Sequence, residues 1–312
     1  MRYDYRQSKA YQNLATLRRE GIIQLGNEVG YSYNFLLLLK TMVAPRVKDI
    51  TVLEKMEGQL IKHRPALLIV APKIEAGGSE ADTWASRLRL FGYKPANFGI
   101  APTKTLEVSL SEVESEILAQ MANHSRENIR DAQRKGVKIA VYTGVDELTD
   151  SRLFSEFFDV YHANCVRLKI PGESKEQFQL ILEAFKENAI VIHAYFENQV
   201  CAVTFFLFSG DTITGYVNGS TEVGRKKSAL NLVLWEGMRA GKQRGCLWFD
   251  FDGIFDERYP GQKEWEGFTR FKKGFGGVER TYLGSYTKWF PLLKRRKTAK
   301  ALLAAQQVSP SS

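Results

Sequence analysis

The sequence predicts an α/β (α+β) fold in which mixed β-sheets are flanked by helices. The chain has 312 residues, which is enough for about two domains. Its apolar fraction of 44% and charged fraction of 25% are ordinary for a globular protein that buries a core. Short apolar runs bounded by turn residues alternate with segments of helical periodicity, most clearly in the second half.

Composition limits the partners and the compartment. A net charge of +9 favours polyanionic partners, such as nucleic acid, phosphates or an anionic membrane surface. Three cysteines without a C-x-x-C pair predict no disulfide and a reducing compartment. The four histidines show no metal-ligand spacing, so we expect no metal site. No export signal or membrane-spanning run is present, which predicts a cytoplasmic protein and leaves open attachment to the inner face of the membrane.

The first half carries weaker patterns. Strands are predicted at residues 31–39, 47–53, 67–71, 93–100 and 103–110. Helices are predicted at residues 79–91, 111–121 and 125–135. Gly92 should end the first helix, and Ser111-x-x-Glu114 is a capping-box pattern for the second. Ser125 and Gly136 are expected to start and stop the third.

The pattern sharpens from residue 137 onward. Strands are predicted at residues 137–142, 189–196, 200–208, 212–218, 247–251 and 278–283. Helices are predicted after the caps Asp150 and Ser174 and at residues 229–240 and 265–272. The order is strand, two helices, three-strand meander, helix, strand, helix, strand. This order resembles the succession of elements in the GNAT acyltransferase fold.

A repeated pattern predicts two such domains in tandem. Phe91-Gly92-Tyr93 and Phe275-Gly276-Gly277 each follow a helix and lead into a strand. We therefore assign residues 1–136 to a first GNAT-like domain and allow residues 284–312 to pack back on it. Residues 137–283 form the second GNAT-like domain, which carries the proposed active site.

Four segments carry recognisable motifs. Residues 100–111 contain P-T-x-T before a serine, and residues 125–137 contain R-x-x-I-R-x-A-x-x-x-G-V. Residues 245–254 resemble the pattern D-F-G-G-I, with Asp252 in place of a glycine, and residues 267–277 contain F-K-x-x-F-G-G. In this order the four segments resemble the Fem family of peptidoglycan bridge-forming aminoacyl transferases, over about residues 100–286. The long coiled-coil arm of some members is absent.

The resemblance implies transfer of an amino acid from aminoacyl-tRNA to the stem peptide of a peptidoglycan precursor. The acceptor would be lipid-linked or nucleotide-linked, and both kinds carry a diphosphate. Aminoacyl-tRNA would be the co-substrate, with no cofactor. Because aminoacyl-tRNA is an activated ester, the reaction needs proximity, an uncharged amine and a positive charge where the oxyanion develops.

The same resemblance identifies catalytic candidates. Lys272 would stabilise the oxyanion, and the ring of Phe271 would flank the tRNA terminus. Asp250 would orient the acceptor amine or the lysine. Each has a structural alternative: Lys272 and Lys273 could be a solvated pair at a helix end, and Asp250 could cap a helix or pair with an arginine.

Substrate-binding candidates follow from the same comparison. Arg167 matches an arginine implicated in holding the precursor's phosphates, although Asn164 stands where a threonine is usual. Tyr216 and Asn218 end the third meander strand, where the acyl donor binds in a GNAT fold. Tyr216 could instead be a core aromatic residue.

Three basic segments remain. Arg126, Arg130 and Arg134 recur every four residues as one stripe, which we predict to bind tRNA. The loop at residues 221–228 keeps only one glycine of a coenzyme A loop, which disfavours that donor. Its cluster Arg225-Lys226-Lys227 suits phosphates or a solvated face. Residues 289–297, from Trp289 to Lys297, suit an anionic membrane surface or a helix packed on the first domain.

Two other functions stay open. A GNAT-fold N-acyltransferase could act on a protein N-terminus or an exopolysaccharide. A non-catalytic relative could bind polyanions. The intact Phe271-Lys272 pair with its glycine turn favours catalysis over the binding role.

Overall fold

The computed structural model describes residues 4–35, 39–143 and 151–290. The chain forms two compact units. The larger consists of Met1–Leu17 and Lys104–Arg280, and the smaller of Arg18–Thr103 and Thr281–Ser312. This division lies at residue 103/104, whereas the predicted domains meet at 136/137. The reason is that residues 104–109 pair within the larger unit's sheet.

Both units are built from mixed sheets and helices, as predicted. The strands are β1 (Gly21–Leu25), β2 (Glu28–Phe35), β3 (Leu39–Val47), β4 (Leu67–Pro72), β5 (Lys94–Pro95), β6 (Lys104–Ser109), β7 (Lys138–Thr143), β8 (Ala189–Phe196), β9 (Gln199–Ser209), β10 (Thr212–Ser220), β11 (Trp248–Gly253), β12 (Val278–Thr281) and β13 (Tyr286–Trp289). The helices are α1 (Lys9–Leu17), α2 (Val52–Gly58), α3 (Leu60–His63), α4 (Ser79–Leu90), α5 (Glu114–Gln120), α6 (Asn123–Arg134), α7 (Ser151–Leu168), α8 (Lys175–Phe185), α9 (Glu222–Lys226), α10 (Ala229–Gln243) and α11 (Glu266–Lys273).

The smaller unit has a six-stranded sheet of order β1-β2-β3-β4-β13-β5. β3 and β4 are parallel, and the C-terminal β13 is inserted antiparallel between β4 and β5. Trp84 and Leu88 lie four residues apart on one face of α4 and are both buried in this unit's core.

Two predictions for the smaller unit are wrong. The strand predicted at residues 47–53 is instead the end of β3 and the start of α2. Asp49 accepts hydrogen bonds from the backbone and hydroxyl of Thr51, and this local turn starts the helix. The strand predicted at residues 93–100 is reduced to the two residues of β5, where Pro95 has no N–H to donate.

The larger unit has a seven-stranded sheet of order β12-β6-β11-β10-β9-β8-β7. Its central strands are buried on both faces. Phe205 packs into the cluster with α7 and α8, and Phe206 into the cluster with α10, because successive side chains point to opposite faces. β10 and β11 are parallel and pair only over Thr212–Thr214, after which they separate. A bulge between Gly215 and Val217 leaves Tyr216 outside the β9 register.

The first residues of the helices in the larger unit can be compared with the N-cap residues predicted from the sequence. Ser174 accepts from the Gln177 backbone and caps α8, as predicted. The capping box at Ser111 is wrong, since α5 begins at Glu114 and Glu116 reaches back to the Val113 backbone. Ser125 is not a cap either, because α6 begins at Asn123 and Ser125 is buried within it.

Some predictions fall on segments outside the described residues. These are the Asp150 cap and the basic residues of the segment from Trp289 to Lys297, of which the structure describes only residues 289 and 290. Within the described ranges, no helix is both long and apolar enough to cross a bilayer.

Candidate active site

A cavity of about 630 Å³ opens in the larger unit where β10 and β11 separate. Five residues predicted from the sequence line it: Arg167, Tyr216, Asn218, Phe271 and Lys272. They come from the end of α7, the bulged part of β10 and the last turns of α11. Cavities of a few hundred Å³ with a few polar groups are typical small-molecule sites.

Lys272 is held at the cavity wall by backbone carbonyls. Its Nζ donates to the carbonyl oxygens of Phe251 at 2.6 Å and Gly253 at 2.7 Å, and lies 5.0 Å from the centroid of the Phe268 ring. An ammonium has three donors, so one remains for a ligand. Burial lowers the pKa of Lys272 to about 8, although the charges of Asp252 and Asp250 oppose this shift.

Lys273 differs from its neighbour. Its side chain is exposed and pairs with Glu279 at 2.5 Å, and it does not line the cavity. The solvated-cation interpretation therefore describes Lys273, while Lys272 is partly buried and fixed.

The glycine turn after α11 holds this geometry in place. Gly276 and Gly277 have φ values of 77° and 91°, which suit glycine. A Cβ at Gly277 would lie 2.4 Å from the Glu107 carbonyl oxygen, so the chain passes too close to β6 for any side chain. Phe271 and Phe275 pack ring to ring at 5.5 Å and anchor the end of the helix.

Asp250 lies behind the cavity wall and does not line it. Its carboxylate accepts from the Thr105 hydroxyl and, at 2.8 Å, from the Asp252 backbone N–H. Burial, followed by the charge of Asp252, raises the pKa of Asp250 to about 6. Its position supports an electrostatic action on Lys272 rather than direct contact with an acceptor amine.

Asp252 and Arg6 form a contact that sequence reasoning missed. Asp252 has a φ of 57°, a left-handed conformation in which Asp is tolerated better than most residues. The same conformation suits the glycine that stands here in the Fem motif that this segment resembles. The buried Arg6 reaches its carboxylate at 3.4 Å. The N-terminal segment carries no motif, so the only available signal was Asp252 itself, a charged residue at a glycine position.

Arg167 and Asn218 are connected through Asn164. The Arg167 guanidinium donates to the Asn164 side-chain oxygen at 2.7 Å, and the Asn164 amide donates to the Asn218 carbonyl at 3.4 Å. Asn164 is buried and orients Arg167, although a threonine is usual at this position in the Fem family.

Tyr216 is both a packing residue and a cavity residue. Its ring contacts those of Phe178 and Phe205, and its hydroxyl donates to Glu173 at 3.3 Å. The bulge of β10 places it at the cavity. Tyr216 can therefore be both a core aromatic residue and a residue of the predicted donor site.

The predicted arginine stripe on α6 is not a uniform surface. Arg126 donates to the carbonyls of Ala119 at 3.0 Å and Met121 at 2.7 Å, at the end of α5. Arg134 pairs with Asp131, and Arg130 is exposed without an ion pair in the described part of the chain. None of the three lines the cavity.

Comparison with known proteins gives the same fold. The profile of the acetyltransferase (GNAT) domain matches residues 123–263. The crystal structure of FemX aligns with a TM-score of 0.73 and 13% identity, over 98% of this chain and 95% of that one. No curated protein gives a significant sequence match.

Two further structures align over most of the chain. A C-terminal domain (DUF2156) assigned to a lysylphosphatidylglycerol synthetase from Agrobacterium fabrum has a TM-score of 0.61 and 13% identity, over 96% of this chain and 92% of that one. L-PGS from Bacillus licheniformis has a TM-score of 0.59 and 12% identity, over 98% and 94%. The predicted tandem GNAT-like fold is confirmed, and residues 123–263 within it resemble the acetyltransferase (GNAT) domain.

Proposed function

We propose that the protein transfers an amino acid from aminoacyl-tRNA to an amine of a peptidoglycan stem peptide. The observation that carries this proposal is Lys272, a fixed ammonium at the wall of the cavity with one unused donor. The fold likeness to FemX and the Fem-type motifs support the same reaction class.

The reaction needs no covalent intermediate. The acceptor amine attacks the ester carbonyl carbon, the C–N bond forms, and the C–O bond to the terminal ribose breaks. The Lys272 ammonium balances the negative charge that develops on the carbonyl oxygen. The amine's proton passes to the departing ribose oxygen, so atoms and charge balance.

The cavity lining fits direct transfer. Of the described residues, no histidine lines it, and Cys165 is 4% exposed. A nucleophile–base pair of the thiol–imidazole type therefore has no base there. A positioned ammonium is sufficient because the tRNA ester is already activated.

A reconstituted transfer reaction tests the proposal. Purified protein, pre-charged tRNA and a soluble stem-peptide precursor should give a precursor heavier by one amino-acid residue, detected by mass spectrometry. Uncharged tRNA is the matched control, and acetyl-coenzyme A is the competing donor. Acetylation of the precursor without any transfer from tRNA would contradict the proposal.

One observation favours a second acceptor class. Val166 and Leu168 flank Arg167 and are 64% and 38% exposed. Exposed apolar side chains beside a cation suit the head group of an anionic lipid, and two structures of similar fold are named for lysylphosphatidylglycerol synthesis or as L-PGS. The acceptor would then be a head-group hydroxyl. Vesicles of phosphatidylglycerol, offered in parallel with the stem-peptide precursor, would distinguish the two by which one gains the labelled amino acid.

A further inference from the structure

The three neighbouring cations Arg225, Lys226 and Lys227 have different environments. Lys226 is exposed and pairs with Glu222 at 2.7 Å. The Lys227 ammonium lies 4.1 Å from the centroid of the Phe196 ring. Arg225 alone of the three lines the cavity, where it donates to the Ser220 carbonyl at 2.7 Å.

Arg225 shares the cavity with Arg167, and neither is neutralised. Within the described ranges, no carboxylate forms an ion pair with either guanidinium. Glu264 also lines the cavity but pairs with neither. Partial desolvation at the cavity lowers the pKa of Arg167, and the positive charge of Arg225 lowers it further. Two like charges held at one cavity repel, and a bound anion would relieve that repulsion.

A buried amide lies at the same cavity. Asn231, in the first turn of α10, is only 6% exposed and lines the cavity. Its side chain makes no hydrogen bond to any residue that the structure describes, whereas its backbone N–H donates to the Ser228 carbonyl at 3.1 Å. The amide therefore has donor and acceptor atoms available to a ligand in the cavity.

We propose that Arg225 and Asn231 complete, with Arg167, one anion subsite that binds the diphosphate of the acyl acceptor. The identification of the ligand as the acceptor rests on the proposed function. Each of the two guanidiniums can bind a phosphate through two parallel N–H hydrogen bonds, and the Asn231 amide adds an uncharged donor. A nucleotide-linked and a lipid-linked acceptor both supply this group.

Direct binding of inorganic pyrophosphate to the intact protein tests the subsite. Calorimetry at low salt should show a saturable site. Arg225→Gln should weaken it by about tenfold or more, the usual effect of losing a charged hydrogen-bonding partner. Lys226→Gln is the matched control, since it removes the same charge from the next residue, and it should change the affinity less than about twofold. Equal weakening by both substitutions, or no saturable binding to the wild-type protein, would overturn the subsite.

Two further measurements keep the test decisive. Asn231→Asp preserves size but places a carboxylate in the subsite, so it should reduce pyrophosphate affinity more than Lys226→Gln does. If Arg225→Gln lowers the melting temperature strongly, Arg167→Gln replaces it, because Arg167 is exposed and its loss should leave folding intact. A normally folded Arg167→Gln protein with unchanged pyrophosphate affinity would also overturn the subsite.

The source of the diphosphate is resolved by two probes. Tighter binding of uridine diphosphate than of pyrophosphate supports a nucleotide-linked acceptor, and tighter binding of a short prenyl diphosphate supports a lipid-linked one. Because these measurements use no tRNA, the subsite and the proposed function fail separately. Transfer without a pyrophosphate site removes the subsite alone. A pyrophosphate site without transfer removes the proposed reaction, and with it the identification of the ligand as the acceptor, but leaves the anion subsite.

Discussion

Helices α6 and α11 each carry basic residues in a segment that resembles a Fem motif, yet these residues have different environments. On α6, Arg126 donates to the Met121 carbonyl at the end of α5, and Arg134 pairs with the Asp131 carboxylate. On α11, Lys272 is partly buried against two carbonyls and keeps a free donor at a cavity. A basic residue in a motif therefore becomes a candidate catalytic group only where burial, fixed geometry and access to a ligand coincide.

The largest expected effect separates Lys272 from Lys273. Lys272→Ala should slow single-turnover transfer by about 10²–10³-fold, because it removes one donor that stabilises the oxyanion. The binding of tRNA and precursor should change little, since the interaction is made in the transition state. Lys273→Ala should be nearly silent. A defect confined to substrate binding in the Lys272 variant would contradict the catalytic assignment.

Arg126 should affect stability more than any other arginine of α6. Arg126→Ala removes hydrogen bonds to the carbonyls that end α5 and should lower the free energy of unfolding by about 1–2 kcal/mol. Arg134→Ala breaks an exposed ion pair and should cost less than about 0.5 kcal/mol. Urea denaturation measures both. Equal costs would show that the contacts of Arg126 are as weak as a surface pair.

Arg130 is the α6 residue best placed to contact tRNA. If it neutralises one phosphate, Arg130→Ala should reduce the slope of log affinity against log salt by about 0.7–0.9. Arg126→Ala should leave the slope unchanged, because its guanidinium is occupied by backbone carbonyls. Filter binding over a salt series checks this. An unchanged slope in the Arg130 variant would show that α6 is not part of the protein surface that binds tRNA.

A smaller effect concerns Asp252, whose charge raises the pKa of Lys272. Asp252→Asn keeps the size of the side chain but removes that charge, so the pKa of Lys272 should fall below its wild-type value. The pH at which the transfer rate stops rising should therefore shift downward. A shift upward, or none, would show that Asp252 does not act on Lys272.

Local pattern predicted the second half of the larger unit well. β8 has the predicted bounds, β9 is one residue longer at each end, and β10 is two residues longer at its C-terminal end. The agreement is close because apolar alternation and turn residues are local signals. The smaller unit was harder because its elements depend on distant partners. β5 has two residues and exists only through pairing with β13, which lies far along the chain.

In the candidate site, too, the features that depend on distant parts of the chain were not predicted. The motifs identified Lys272 and Phe271, which line the cavity. They did not show that Asp250 lies behind the wall, because burial is a property of the folded sheet. The contact between Arg6 and Asp252 joins residues 246 positions apart, and no local pattern could reveal it.

The pH dependence of the single-turnover step, measured for the wild-type protein and for Lys272→Arg, tests the central claim most directly. Since burial lowers the pKa of Lys272 to about 8, the ammonium that stabilises the oxyanion is present below that pH and is lost above it. The attacking amine must be uncharged, so its deprotonation raises the rate as the pH rises. Loss of the Lys272 ammonium should therefore stop that rise near pH 8 in the wild-type protein. In Lys272→Arg the cation stays protonated, so whatever activity remains should keep rising through pH 9. A wild-type rate that keeps rising through pH 9, or a rise that stops at the same pH in both proteins, would contradict the account.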